Sequence, residues 1–458
     1  MIEYIATSIT LLISTIFMFF ALIMGKKIIK DSKSISEPVL NITFFFAYYK
    51  VAAYYAMPAI LNIFDDYDFV RQDNIQLFNM AYLYAIECVS WLPWLAAFII
   101  VSRLVKKGTL FNADEIISHR SDTSKLLLTV WVLVYMGYTS FNIINILGEG
   151  VNSNSIYIEV FKALISYGGP PASTFLMLMG FRHWGKFFTI VGLMGFSFSI
   201  ISISTRGMMV YSIIFLLYLV ITFAPQRKYF FALGLILTLL LSTHLFLGGL
   251  VSNEFTLNDN GELSFDVGVR DKKGQRSALK EIEWRFGALT RYSTGFITMY
   301  ERGDEAGINP IKNSLLGFVP RSLNPDKPQP STRNGEDVYT QGMYLINKEI
   351  DGYTSGSMTE FSTGGHSYWE LGWFGVITLN FISGLYIAIC TFYFQRFGAI
   401  SMPLMVTLFK PWGFVDPKIW VSDIVMQIYQ IIIPIAVICF IIKIIDRWKI
   451  KRPLLSMK

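Results

Sequence analysis

The sequence predicts an all-α polytopic membrane protein, and three observations carry that prediction. Apolar runs of about 18 residues or more recur from end to end, each long enough to cross a hydrocarbon core of about 30 Å as a helix. Hydrophobic residues make up 53% of the 458-residue chain and charged residues only 16%, a balance that does not suit a water-exposed surface. Lys and Arg gather in alternate connections between the apolar runs, as they do where connections are sorted by side of a membrane.

About eleven spans are expected, near residues 4–24, 40–63, 76–104, 126–147, 161–180, 187–205, 207–224, 229–251, 367–394, 398–412 and 423–445. The first is followed, not preceded, by Lys26, Lys27, Lys30 and Lys33, so it reads as a retained span and not as a cleaved signal peptide. The run 398–412 is short and contains Pro403 and Lys410, which also fits a re-entrant segment. Basic residues at Lys26 to Lys33, Arg103 to Lys125, Arg182 and Lys186, Arg227 and Lys228, Arg396, and Arg447 to Lys458 mark the cytoplasmic side. The N-terminus is then outside and the C-terminus inside. The chain divides into a bundle of about eight spans (1–251), a large outer loop (252–366) and a bundle of about three spans (367–458).

A net charge of +6 says little in such a protein, and nucleic acid is not an expected partner, whereas membrane lipids are. Cys88, Cys390 and Cys439 all fall in apolar runs, and no Cys/His metal pattern is present. There is no phosphate-binding P-loop, nucleophile elbow, H-E-x-x-H or dinucleotide fingerprint. No metal or cofactor is expected, and the driving force of any reaction must come with the substrate.

A structureless loop as long as 252–366 is uncommon unless it has a function. Its first part, Ser252 to Gly274, is rich in Asp, Asn and Gly and suggests mobile backbone. Farther on, Ile282, Phe286, Leu289 and Tyr292 stand near helical spacing, which suits an amphipathic helix against the membrane or the bundle. Prolines at 320, 325, 328 and 330 stiffen the backbone around Arg321 and Lys327, making a plausible clamp. At the exit, Ser367 and Glu370 fit a capping box that starts a helix, which leaves His366 just before the first turn.

Several polar residues stand out against this apolar background. Arg206 lies in the outer hairpin Thr205-Arg206-Gly207, where a guanidinium can hold phosphate oxygens bidentately or simply snorkel to headgroups. Arg285, Arg291 and Arg321 lie on the same side, as do Arg302 and Arg333; each is a candidate anion ligand or a solvated loop charge. His366 is the one histidine this topology places outside, and imidazole is a natural general base for a hydroxyl. Lys50 and Glu87 lie inside spans at similar depth, offset by about 3 Å, so a structural ion pair is expected in preference to a proton path. Asp65, Asp66 and Asp68 could bind a divalent metal or cap the outer end of a span.

Three stretches resemble the bacterial oligosaccharide repeat-unit polymerases, the O-antigen polymerases of the Wzy type. They are Thr205-Arg206-Gly207, the segment from Phe318-Val319-Pro320-Arg321 to Pro325-Asp326-Lys327-Pro328, and Tyr368-Trp369-Glu370-Leu371-Gly372-Trp373-Phe374-Gly375. The hydropathy and the single dominant outer loop resemble that family over most of the chain. Two departures are visible: many relatives carry an acidic residue where this chain has His366, and Arg291 to Gly303 is one residue longer than the Arg–Gly spacing described for some members.

The resemblance implies a GT-C-like transferase in the bacterial cytoplasmic (inner) membrane, with its site facing the periplasm or exterior. It implies transfer of a growing glycan from undecaprenyl pyrophosphate to a second undecaprenyl-pyrophosphate-linked repeat unit, inverting and without metal. Arg206 and Arg291, with Arg321, Lys327 and Arg285, would hold the pyrophosphate. His366 would be the base, and Tyr368, Trp369 and Glu370 would meet the glycan. A chain-length regulator and a flippase are the partner proteins it implies. Rival readings are an O-antigen ligase, a metal-dependent transferase using Asp65, Asp66 and Asp68, and a lipid-linked glycan flippase.

Overall fold

The computed structural model describes residues 2–35, 37–64, 77–105, 122–146, 165, 169–170, 172–201, 256–257, 263–264, 293–303, 305–316 and 363–397. It also describes single positions 418, 420, 421, 424, 425, 428, 440 and 444. The expected spans 207–224, 229–251 and 398–412 lie outside these residues, as does most of 423–445, while 161–180 is described in part.

Three helices are long and apolar enough to cross a membrane, over Thr7–Asp31, Asn79–Leu104 and Thr363–Phe392. Their outward faces support the same conclusion. On α1 (Ile2–Asp31), Ile13, Phe17, Phe20 and Met24 point away from the bundle at helical spacing, while Leu11, Met18, Leu22 and Ile29 are buried. A contiguous stripe of large exposed apolar side chains is not what water selects, and it fits hydrocarbon. This is a helical membrane protein. Helix α1 outlasts the expected span, running through Lys26, Lys27 and Lys30; Lys is a good helix former, and cations suit a helix C-terminus.

A second helical run extends from α2 (Glu37–Lys50) to α3 (Met57–Phe64), joined by a wider π segment, Val51–Ala56. Pro58 offers a local cause. It has no N–H to donate, and its ring collides with the carbonyl four residues back, so widening the helix before it relieves the clash. Tyr84 donates its hydroxyl to the Tyr55 carbonyl in the same segment, at 2.9 Å.

Helix α4 (Leu77–Leu104) is the centre of the packing, with α1 on one side and the last long helix on the other. Trp91, Trp94, Phe98, Phe44, Tyr55 and Tyr84 form its buried aromatic core, with Trp94 edge-on to Phe44 at 5.9 Å. Small residues let the backbones meet. A methyl at Gly25 would strike Leu95, and one at Gly384 would strike the Trp94 backbone.

Helix α5 (Asp122–Ile146) packs on α6 (Lys186–Ile201). Residues 172–179 are helical, continue as a π turn, Gly180–Trp184, and reverse into α6 at Gly185. Gly185 adopts φ +98 and donates its N–H to the Gly180 carbonyl, a tight reversal in the connection between the expected spans 161–180 and 187–205.

Within the long loop, β1 (Thr256–Leu257) and β2 (Leu263–Ser264) pair antiparallel, so part of the stretch expected to be mobile closes as a short hairpin. Residues 293–301 are helical, and Ser293, Phe296 and Ile297 are fully buried, which places the described end of the expected amphipathic helix against the bundle. A turn leads to α7 (Asn309–Leu316).

The last described helix, α8 (Thr363–Phe397), is broken at Leu371 (φ −141) and Gly372 (φ +61) into 363–370 and 373–397. It begins before the expected capping box. Ser367 is already inside the first half and donates to the Thr363 carbonyl at 2.7 Å, so it does not cap a helix start. The helix starts earlier because its free amides are satisfied from another helix.

Candidate functional site at the broken helix

That partner is Glu87 of α4. Its Oε1 accepts the Gly365 N–H at 3.1 Å, placing a negative charge on the positive end of the 363–370 helix. Gly364 has to be glycine here, since a Cβ would collide with the carboxylate. The other oxygen, Oε2, accepts from Lys418 Nζ at 2.6 Å. Lys418 also donates to Ser90 Oγ at 2.6 Å and lies 4.4 Å from the centre of the Trp91 ring. The Thr363 hydroxyl donates to the Lys418 carbonyl at 2.7 Å.

The expected partner of Glu87 was Lys50, and that expectation is corrected: the hydrogen-bonded ion pair is with Lys418. Depth along two neighbouring spans allowed Lys50. Lys418, however, lies at the helix start where the carboxylate is aimed. An acidic residue inside a span needs a buried partner, and the cation in the apolar stretch Trp412 to Trp420 was the available signal.

One turn into α8, His366 is 1% exposed. Its ring stacks on Trp420 at 4.4 Å with an interplanar angle of 9°. Phe296 meets it edge-on at 5.5 Å and lies 4.8 Å from Trp369. Nδ1 of His366 is 3.7 Å from Oε1 of Glu370, one helical turn on, and both side chains are buried. The capping box therefore gives way to a different arrangement, with Glu370 facing a histidine and not a backbone amide.

Beside this pair is a cluster of aromatic hydroxyls. Tyr82 and Tyr368 share a hydrogen bond at 3.2 Å, and Trp373 donates its indole N–H to Tyr82 at 3.0 Å. Tyr300 packs on Tyr368 at 4.7 Å. The break in α8 is held from the loop side. Ala306 donates its N–H to the Trp369 carbonyl at 3.2 Å, and a Cβ on Gly372 would strike the Tyr300 hydroxyl. Tyr82, Tyr300 and Trp420 were not singled out by sequence reasoning, because each is one aromatic among many.

Of the expected site residues, the structure brings His366, Tyr368, Trp369 and Glu370 together, all buried. Arg206, Arg285, Arg291, Arg321 and Lys327 lie outside the described residues, as do Asp65, Asp66 and Asp68. Among the described residues no group of three or more His, Cys, Asp or Glu is placed to hold a metal ion. Searches against protein-family models, curated proteins and solved structures found no match.

Proposed function

We propose that this chain is a membrane glycosyltransferase that polymerises undecaprenyl-pyrophosphate-linked oligosaccharide repeat units at the outer face of the bacterial cytoplasmic membrane. The observation that carries the reading is the buried His366–Glu370 pair at the entry of a broken helix, where Glu370 belongs to the 368–375 stretch that resembles the repeat-unit polymerases. Ionisable groups are expensive in a membrane-embedded bundle and mark function by default.

In this reading His366 takes the proton of the acceptor hydroxyl as that oxygen bonds to the anomeric carbon. The bond from that carbon to the pyrophosphate oxygen breaks, and a single displacement inverts the configuration. Lipid pyrophosphate is already a good leaving group, so no nucleotide is required. Arg206 and Arg291, supported by Arg321, Lys327 and Arg285, stabilise the charge on the departing phosphate. Tyr368 and Trp369 offer aromatic faces to the sugars, and Glu370 accompanies the histidine.

An assay with purified lipid-pyrophosphate-linked repeat unit tests the proposal. A ladder of products should form, survive EDTA, and fall on the order of 10²-fold or more in Arg206→Ala. His366→Ala should lose it too; unchanged activity in that variant from about pH 6 to 8 removes His366 as the base. Loss in EDTA favours the Asp65, Asp66 and Asp68 mechanism, transfer to a lipid A core favours a ligase, and translocation without transfer favours a flippase.

A further inference from the structure

We infer that the 293–301 helix is a lid over the His366–Glu370 pair, hinged on the glycine turn that follows it; this rests on reading His366 as the acceptor's base. A base must come within about 2.6–3.2 Å of the hydroxyl it deprotonates. At 1% exposure, His366 cannot do so until something covering it moves.

The covering groups differ in what holds them. Trp420 is two residues from Lys418, which is pinned by a buried ion pair to Glu87 and by the Thr363 hydroxyl to its carbonyl. Lifting that side separates buried charges, which is costly. Trp369 is on the same helical segment as the histidine and moves with it. Phe296 is on the 293–301 helix, and contacts between neutral groups help to seat that helix. Asn79 donates to Thr298 Oγ1 at 3.0 Å, and Tyr300 packs on Tyr368.

The helix ends at a turn built to change its torsions. Gly303 (φ +83) and Gly307 (φ +59) both have open space around them, and Arg302, Gly303, Glu305 and Ile308 are exposed. Glycine takes up large backbone rotations at the lowest steric cost, which suits a hinge. By contrast, Gly372 has no room for a methyl under the Tyr300 hydroxyl, so it forms the seat on which the closed helix rests. With the lid lifted, Trp369 and Tyr368 lose the rings of Phe296 and Tyr300 that cover them. Their faces become available to sugar rings beside His366.

The test uses the full-length protein in nanodiscs. Asn79→Cys with Thr298→Cys places two thiols where the native side chains are in hydrogen-bond contact, tying the lid to α4. The oxidised double variant should lose ladder formation by about tenfold or more and regain it on reduction, while each single variant is unaffected by oxidant. Hydrogen–deuterium exchange on the unmodified protein supplies a readout that needs no activity. The 293–301 amides should exchange together, about tenfold or more faster than those of 373–390. Full ladder formation by the cross-linked protein overturns the lid, as does exchange of 293–301 as slow as 373–390. If the parent protein makes no ladder with any repeat unit, the polymerase reading fails, and exchange alone still decides whether the helix opens.

Discussion

Lys30 donates to Glu37 at 2.7 Å and Lys418 donates to Glu87 at 2.6 Å, yet the two pairs have different energetic meanings. The first has side chains more than half exposed, where solvent screening leaves an ion pair worth about 0–1 kcal/mol. Its hydrogen bond from Lys30 holds the Glu37 carboxyl below its ordinary value. That small contribution is present at neutral pH and is lost as pH falls through the lowered value. The second pair has no solvent contact, and its worth lies in what happens when one partner is removed. Lys418→Met should destabilise the protein by about 3–5 kcal/mol, because the buried Glu87 carboxylate loses the cation that faces it. Adding Glu87→Met should recover most of the loss, less about 1 kcal/mol for the lost cap on Gly365. Thermal unfolding of both variants in one lipid environment checks this; a Lys418→Met protein as stable as the parent would contradict it.

Among the elements, α8 departs furthest from what local pattern predicts. Ser367 and Glu370 have the spacing of a capping box. A carboxylate from α4 takes over the cap, so the helix begins at Thr363 and breaks after Glu370 instead. The break depends on Gly372. Gly372→Ala puts a side chain into left-handed backbone and against Tyr300, at a cost of about 1–3 kcal/mol. Gly137, in the exposed middle of α5, meets nothing within 4 Å, so Gly137→Ala should be neutral or stabilising by up to about 1 kcal/mol. The difference in unfolding temperature between these two alanine variants is the measurement. Equal effects would mean that the break is not a tertiary feature.

At the scale of the whole molecule, hydropathy marked three of the described apolar runs closely. The expected 76–104 became Leu77–Leu104, 126–147 became Asp122–Ile146, and 40–63 became the run from Glu37 to Phe64. The topology is open to a direct check. Alkaline phosphatase fused to the N-terminus should be active and the same enzyme fused after Lys458 inactive, as expected for ends on opposite sides of the membrane. The reverse pattern would place the 252–366 loop in the cytoplasm and remove the outer-face reading of the site.

The sequence by itself determined that the chain is a helical membrane protein, and roughly where several of the described apolar helices begin and end. Length, hydropathy and turn residues are local properties, and in a bilayer every backbone polar group must be satisfied within a helix or by a neighbour. Which charges meet was decided by the tertiary structure. Glu87 finds Lys418 at a separation of 331 residues, and no pattern of spacing encodes that choice. The same packing turned the predicted start of α8 into its interior, buried His366 beneath Phe296 and Trp420, and gave Glu370 a histidine to face. These outcomes depend on which helix surfaces approach one another, since a buried ionisable group has to take its partner from whatever the packing brings within reach.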